Sequence, residues 1–412
     1  MMYTSISTAL EQLFQVTPPI DEFERVPLEQ CLHRTLGEPI STTHPVPSFD
    51  RAAMDGYALR AQDTPGNLRL IGTVSAGDAV YVACGAGQAV RILTGAPIPQ
   101  GADAVIEQER VLVQNGEVIV DRPISPSRNV SPRGSEFSAN ITVLRRGTRI
   151  GPVEIGLLAA LGRDRVVVVR KPHILLITTG SELMLPGEPL GPSQIYDANR
   201  FLFTAWLQLA GAEVTVLPIV PDVTGQFIAV LRQALLHQPR FDLVISTGGV
   251  SVGDKDDVIH SLSKESQLLF WRLDMHPGKS IAAGVLDTVP ILALSGNPGA
   301  AMTSWLMLGV PLLAHLQYGR ARQEALTGRL CEGFPKKTRE TRFLRSRVIS
   351  TPTGNEFDLH LAQQSDLISS YAQADAFAII PHDSDPIAPG TLINGLRVSG
   401  LGSTALTWDP FD

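Results

Sequence analysis

The middle of the chain alternates short apolar runs with segments whose apolar residues recur at helical spacing. The runs predict buried strands at 174–178, 214–219, 243–246, 268–275, 281–285 and 291–294. The spacing between them predicts helices at 197–209, 227–236, 257–262 and 300–316. Such alternation predicts a mostly parallel sheet with helices on both faces, which is a doubly wound α/β domain over residues 173–320.

Short β-like runs, separated by Gly, Asn and Pro, flank this domain on both sides. Residues 46–142 and 328–412 therefore each predict a β-rich domain. An amphipathic helix over 5–15 begins the chain and ends before two prolines. We assign residues 1–45 and 143–172 to an N-terminal helix and an elongated connector. The predicted fold class is multidomain α/β plus β.

Glycine-rich polar loops follow the predicted strands of the α/β domain. Ligands bind beyond the carboxyl ends of parallel strands, so these loops should share one edge of the sheet. Glycines let backbone N–H groups approach a phosphate, and a helix N-terminus adds partial positive charge. The candidate substrate-binding residues there are Thr179, Gly180, Ser181, Gly248, Gly249, Ser251, Gly253, Gly296, Asn297 and Pro298.

Carboxylates in the same loops point to a metal. The residues concerned are Glu182, Asp222, Asp254 and Asp256. They would repel a phosphate unless a divalent cation lies between, so we expect Mg²⁺. A second polar cluster ends an extended segment of the first β-rich domain and consists of Asp50, Arg51, Asp55 and Tyr57. For any one carboxylate, a helix cap or a solvated turn is an equally good explanation.

Composition and charge exclude several other classes. The 412 residues carry a net charge of −7, which argues against a general nucleic-acid binder. Three widely separated cysteines show neither metal nor disulfide spacing, so a reducing compartment is expected. The apolar tract around 305–316 is too short and interrupted to predict a membrane span, and no leader pattern begins the chain. We expect a cytoplasmic protein that binds neither nucleic acid nor membrane.

Seven segments, taken together, resemble the MoeA family and the related gephyrin E domain. In order they are SFDRAAMDGYAL, RILTGAPIPQGADAVIEQE, ITTGSEL, PSQIYDANR, STGGVSVGDKDD, MHPGKS and LSGNPG. The resemblance implies a molybdopterin molybdenumtransferase, which inserts molybdate into adenylylated molybdopterin with Mg²⁺ and releases AMP and molybdenum cofactor. It also implies four domains in an elongated homodimer. Residues 173–320 would be similar to MogA/MoaB-type adenylyltransferases, one of which is a possible partner.

Matched motif by motif, the resemblance implies roles for individual residues. The catalytic residues would be Asp55, Glu182, Asp222 and Asp256, the last three also as magnesium ligands. Thr94 and Arg133 would join the substrate-binding residues. Molybdate would lie between the third and fourth domains, bound by Arg272, His276, Lys279, Arg345 and Ser365.

The chain departs from the family pattern near these expected anion contacts. The departures are Ala52, Ser131, His276, Ser295 and Gly299. They leave room for another oxyanion such as tungstate, or for weakened activity. His276 stands where a lysine is common, and protonation near its ordinary pKa of about 6.5 would restore that charge.

Two other functions remain open from the sequence. One is a nucleotide or pyrophosphate hydrolase built on the same α/β domain. The other is a binding scaffold that kept the fold and lost the chemistry. The carboxylates argue against the scaffold, and the flanking β-rich domains argue against the hydrolase.

Overall fold

The computed structural model describes residues 3–78, 82–236, 240–251, 253, 256–318 and 324–397. The chain divides into two compact units. The larger comprises Met1–Glu38, Arg146–Ala159 and Arg163–Asp412, and the smaller comprises Pro39–Arg145 and Ala160–Gly162. Asp254 lies outside the described residues.

A six-stranded sheet forms the centre of the larger unit. Its strand order is Glu213–Val216, His173–Thr178, Leu243–Thr247, Val289–Leu294, Ala282–Leu286 and Gln267–Trp271. The first four strands pair in parallel. Ala282–Leu286 pairs antiparallel with both of its neighbours, so Gln267–Trp271 runs in the direction of the first four, which confirms the predicted mostly parallel sheet. The strand predicted over 268–275 is shorter than expected, because Arg272 adopts a positive φ of 73° and breaks it.

Helices cover both faces of this sheet, as the alternation predicted. They are Ala198–Leu209, Gln226–Leu235, Asp257–Glu265, and a continuous rod of Pro298–Ser304, a π turn at Trp305–Gly309 and Val310–Leu316. The rod is long and apolar enough to cross a membrane, but 78% of its apolar window is buried, as expected of a core helix. The N-terminal helix Ile6–Val16 buries Ala9 and Leu13 in the same core.

Two further pairs of strands belong to the larger unit. Phe23–Pro27 pairs antiparallel with Arg165–Val169, which follows the helix Pro152–Ala160 in the chain. Leu183–Met184 pairs with Ile195–Tyr196 in a short parallel ribbon, which follows the strand His173–Thr178 in the chain. This ribbon brings the TGSEL and IYDANR segments side by side.

The C-terminal part of the larger unit is a second six-stranded sheet. Its order is Met275–His276, Thr341–Thr351, Gly354–Asp358, Ala325–Leu330, Leu392–Arg397 and Ala376–Ile380, and the short helix Ser369–Ala372 precedes the last-named strand. Thr341–Thr351 also pairs with Ala376–Ile380, which closes the sheet on itself around Phe357 and other apolar side chains. Met275–His276 pairs in parallel with Thr341 and Arg342, so the MHPGKS segment belongs to the C-terminal sheet.

The smaller unit is also built on a six-stranded sheet. Its order is Ala104–Glu107, Gly56–Leu59, Gln88–Ile92, Gly66–Val74, Glu117–Val120 and Leu112–Gln114. Two short ribbons accompany it, Arg51–Ala52 with Val130–Ser131 and Ile40–Ser41 with Thr142–Leu144. Gly56 of the MDGY motif is required by packing, because a Cβ there would lie 2.0 Å from the carbonyl oxygen of Ile106.

Candidate active site

Backbone hydrogen bonds hold the glycine-rich loops together at the carboxyl edge of the α/β sheet. The Thr179 N–H donates to the Thr247 carbonyl at 2.9 Å, and the Gly248 N–H donates to the Leu294 carbonyl at 3.1 Å. Gly248 has a φ of 98°, and a Cβ there would lie 2.3 Å from the Thr179 carbonyl oxygen. Only glycine therefore lets these two loops meet so closely.

The loop at 295–298 lies against the same group. A Cβ on Gly296 would lie 3.4 Å from the Gly248 Cα, and the Gly296 carbonyl accepts a 2.8 Å hydrogen bond from the Asn199 side chain. Asn199 is buried at the start of a helix that Asp197 caps. Asn199 lies in the IYDANR motif, from which no role was predicted for it, and the structure shows that its side chain holds one candidate substrate loop in place.

Two of the predicted carboxylates stand at this edge, in neighbouring loops. The Asp222 carboxylate accepts from the Ser181 N–H at 3.1 Å, and the Ser181 hydroxyl accepts from the Asp222 N–H at 2.9 Å. The Glu182 carboxylate lies over Gly180, where its oxygens would be 2.8 and 2.9 Å from an added Cβ. Gly180 thus leaves the space that the Glu182 carboxylate uses.

Asp256 and Asp257 have different environments although they are adjacent. The Asp256 carboxylate accepts from the Gly253 N–H at 2.6 Å and makes no capping bond to the helix that follows. The buried Asp257 carboxylate accepts from the N–H groups of Gly225 and Phe227, at 2.8 and 3.1 Å, and so fixes the start of a neighbouring helix. Asp257 has the structural role, and the Asp256 carboxylate remains partly accessible.

The donor chemistry of the three predicted ligands suits Mg²⁺, which prefers hard oxygens and is usually held by one or two carboxylates plus substrate phosphates. Asp222 and Asp256 each receive a hydrogen bond on Oδ2. In the described part of the chain, however, three metal-type donors lie within 4.8 Å of one another only at Glu332, Asp358 and His360 of the C-terminal sheet. The predicted set would therefore hold Mg²⁺ only with substrate oxygens completing the coordination.

Asp55 has its own local site in the smaller unit. Its Oδ1 accepts from both the hydroxyl and the backbone N–H of Thr94, each at 2.7 Å. These two bonds lower the pKa of the exposed Asp55 carboxyl below its ordinary value. The associated stability is present above the ordinary carboxyl pKa and is lost as pH falls through the lowered pKa. Asp55 thus stays ionised at neutral pH and presents a fixed carboxylate.

Arg133 lies in a polar turn of the same unit. Its backbone N–H donates to the Asp50 carboxylate at 2.7 Å, while its side chain is exposed. Nearby in sequence, Arg128 pairs with Glu107 at 2.7 Å, and this hydrogen bond lowers the pKa of Glu107 to about 2. Arg128 is therefore occupied, and the Arg133 guanidinium is accessible to solvent.

A cavity of about 410 Å³ lies in the C-terminal part of the larger unit, beside His276 and Pro277 of the MHPGKS segment. Its lining residues are His276, Pro277, Lys336, Arg342, Phe343, Leu344, Ala362, Gln363 and Gln364. Lys336 and Arg342 bring two permanent positive charges to its wall. Neither residue is predicted from the sequence, since both lie outside the family motifs, in the polar run 336–342 that is typical of a solvated surface segment.

His276 contributes little charge to this cavity near neutral pH. Burial is the largest cause of a lowered pKa for its imidazole, and the nearby Arg342 and Lys279 lower it further, against the opposing effect of Glu340. The expected protonation near pH 6.5 therefore shifts to lower pH. Replacing the common lysine by His276 removes one positive charge from this wall.

The other predicted molybdate ligands lie around the cavity at different depths. Lys279 is half-buried, with its ammonium 4.4 Å from the centre of the Tyr3 ring. Arg345 is fully buried and donates to the carbonyls of Ala362 and Gln364 at 2.9–3.0 Å. Its Nη1 is buried without a partner among the described residues. Arg345 therefore supports the wall formed by residues 362–364.

Ser365 joins this wall to the loop at 295–299. Its hydroxyl accepts from the Asn297 side chain at 3.4 Å, and its carbonyl accepts from the Ala300 N–H at 3.2 Å. A Cβ on Gly299 would lie 2.7 Å from the Ser365 carbonyl oxygen, which explains the departure at that position. Arg272 is separate from these contacts, with its guanidinium stacked 4.8 Å from the centre of the Trp271 ring.

The larger unit thus has the features of an α/β protein that binds phosphorylated ligands and has a cationic anion pocket beside its sheet. Comparisons with known proteins specify the class. Residues 4–162 match the MoeA N-terminal region (domain I and II), residues 175–315 a probable molybdopterin binding domain, and residues 327–396 the MoeA C-terminal region (domain IV). The chain belongs to the MoeA family.

Individual relatives agree with this assignment. The chain is 36% identical to the molybdopterin molybdenumtransferase of Haemophilus influenzae, over 76% of the chain and 78% of the relative. It is 33% identical to that of Bacillus subtilis, over 94% and 92%. A solved MoeA protein from Pyrococcus horikosii superposes with a TM-score of 0.79 at 30% identity, over 97% of this chain and all of the other.

Proposed function

We propose that the protein is a molybdopterin molybdenumtransferase, which inserts molybdate into adenylylated molybdopterin and releases AMP. The observation that carries this proposal is the combination of two sites in the larger unit. Glycine loops with carboxylates occupy the carboxyl edge of the α/β sheet, and a cationic cavity lies at the C-terminal sheet. The first suits a phosphoanhydride and the second a tetrahedral dianion.

In this function the glycine-rich loops bind the phosphates of adenylylated molybdopterin. Their backbone N–H groups provide donors, and the Asn199 and Asp257 contacts keep the loops in place before substrate arrives. Such preorganisation lowers the cost of aligning the phosphoanhydride for cleavage. The cavity holds molybdate, with Lys336 and Arg342 as the charged groups of its wall.

Magnesium is part of the same proposal. Bound Mg²⁺ would neutralise charge on the phosphates as the bond to AMP breaks. Glu182, Asp222 and Asp256 are the candidate ligands, each beside a loop that would bind phosphate. The Ser181 contacts position the Asp222 carboxylate, and the Gly253 N–H positions that of Asp256. Asp55, held by Thr94 within the smaller unit, remains a further candidate catalytic carboxylate.

Cellular context completes the proposal. We expect a homodimer in the cytoplasm that receives its substrate from a MogA/MoaB-type adenylyltransferase. The unusual residues at the cavity leave tungstate as a competing oxyanion. Light scattering of the purified protein tests the dimer, and a monomer at micromolar concentration would contradict it.

The direct test is reconstitution with purified components. The protein is incubated with adenylylated molybdopterin, molybdate and Mg²⁺, and both AMP and finished cofactor are measured. We expect both products to require molybdate and Mg²⁺. AMP release without molybdate and without cofactor would instead indicate a phosphoanhydride hydrolase. Substrate binding with neither product would indicate a scaffold.

A further inference from the structure

One carboxylate stands among the cations beside the cavity. Glu340 lies 3.4 Å from Arg342, 3.8 Å from Lys279 and 3.9 Å from His276, measured between its carboxylate oxygens and the nearest side-chain nitrogens. Two of these three partners, His276 and Lys279, lie in a different segment of the chain from Glu340. A single negative charge therefore faces three of the basic side chains around the cavity, whereas Lys336 and Arg345 make no ion pair with it among the described residues.

These contacts are loose for ion pairs. Charge-assisted N–H···O bonds are normally about 2.7–2.9 Å long, whereas the shortest distance here is 3.4 Å. The Glu340 side chain is 21% exposed, so water reaches it. Its carboxylate thus neutralises the corner without being locked to any one partner, and it can turn away when a stronger anion arrives.

Lys336 is the contrasting case. It lines the same cavity, and its ammonium has no hydrogen-bond or ion-pair partner in the part of the chain that the structure describes. The neighbouring Lys337 is paired with Asp385 at 3.0 Å on the exposed surface. The positive charge of Lys336 is therefore not neutralised before an anion binds, whereas the charges of Arg342 and Lys279 are partly neutralised by Glu340.

We propose that Glu340 is an internal competitor of the oxyanion and sets how strongly the cavity binds dianions. Molybdate gains the full attraction of Arg342 and Lys279 only by displacing the Glu340 carboxylate. This inference rests on the proposed function, since it takes molybdate as the occupant of the cavity. It assigns to the carboxylate a role in setting the affinity of the cavity for dianions.

The test is the substitution Glu340→Gln, which removes the charge and keeps the size. The half-saturating molybdate concentration for AMP release should fall by about tenfold, the effect expected of one charge at several ångströms in a partly hydrated site. The maximal rate should stay unchanged. Molybdate and sulfate binding, measured by titration calorimetry without the pterin substrate, should both strengthen, and the gain should shrink at high salt.

Three further variants make the result specific to this charge. Asp385→Asn removes an exposed carboxylate of the same C-terminal sheet region and should leave molybdate dependence at the wild-type value. Glu340→Asp keeps the charge and should stay close to wild type. Glu340→Ala should reproduce the gain if the glutamine variant folds poorly.

An unchanged half-saturating concentration and unchanged anion binding in both neutral variants would overturn the proposal. A gain equal to that of Asp385→Asn would also overturn it, because net charge alone would then explain the effect. Failure of the proposed function has a different signature. In that case wild-type protein gives no molybdate-dependent AMP release, whatever residue occupies position 340.

Discussion

The adjacent residues Asp256 and Asp257 offer a matched test of chemistry against folding. Both carry a carboxylate at the start of the same helix, but their partners differ. The Asp256 carboxylate accepts a hydrogen bond from the Gly253 N–H at 2.6 Å, within its own loop. Asp257 is buried and accepts from Gly225 and Phe227 of a neighbouring helix start. Exchanging each carboxylate for the neutral amide should therefore give opposite results.

The structure sets the expected sizes. Hydrogen bonds to charged groups contribute about 1.5–3 kcal/mol each to the free energy of unfolding. In Asp257→Asn, one of the two acceptor oxygens becomes an N–H₂ group, which faces a backbone N–H donor. We expect a loss of about 2–4 kcal/mol in the free energy of unfolding. Asp256→Asn keeps an acceptor for the Gly253 N–H, so its stability should change by less than about 1 kcal/mol. Loss of its charge should slow AMP release by about 10²–10⁴-fold.

Two measurements on the same protein preparations separate these outcomes. Urea unfolding gives the stability change, and AMP release at saturating molybdate and Mg²⁺ gives the rate. Binding of adenylylated molybdopterin to Asp256→Asn should be equal or tighter, because a charge that repels phosphate is gone. Near-normal AMP release from Asp256→Asn, together with a stability loss as large as that of Asp257→Asn, would refute the catalytic role and favour a structural one.

Three further predictions concern other parts of the site. Gly299→Val places its Cβ 2.7 Å from the Ser365 carbonyl and should lower the unfolding free energy by about 1–3 kcal/mol, measured by urea denaturation; unchanged stability would contradict the packing argument. Thr94→Val removes one of two donors to Asp55 and should raise the pKa of that carboxyl toward its ordinary range; an unmoved acid limb in the pH–rate profile would exclude an ionised Asp55 from the reaction. Because the pKa of His276 is lowered, the half-saturating molybdate concentration should stay constant between about pH 6.5 and 8. If this concentration rises across that interval in the wild type but not in His276→Gln, the imidazole carries charge there.

The architecture of the α/β sheet followed from the sequence because each of its elements has a local cause. Three of the four parallel strands are nearly continuous apolar runs, buried on both faces, whereas Glu213–Val216 lies at the edge of the sheet and is partly exposed. The helices between the strands show clear helical spacing. Where the backbone departs from local preference, the prediction was less accurate. The strand predicted through Met275 ends at Trp271, and Met275 and His276 pair with the C-terminal sheet instead. No local pattern distinguishes a strand that changes sheets from one that continues.

The charge balance at the cavity illustrates why the site was harder to predict than the fold. The family motif predicts Lys279 as an anion contact and His276 as a weaker replacement for a lysine. Each position is considered there without its neighbours. The structure shows that Glu340 faces both residues and that burial lowers the pKa of His276, while Lys336 adds a cation to the lining of the cavity. Whether the cavity attracts a dianion depends on the sum of these charges, which come from segments about 60 residues apart in the chain. The replacement of the family's lysine by His276 therefore does not by itself indicate weaker anion binding. A positive charge is supplied instead by Lys336, which lies in a segment outside the motif.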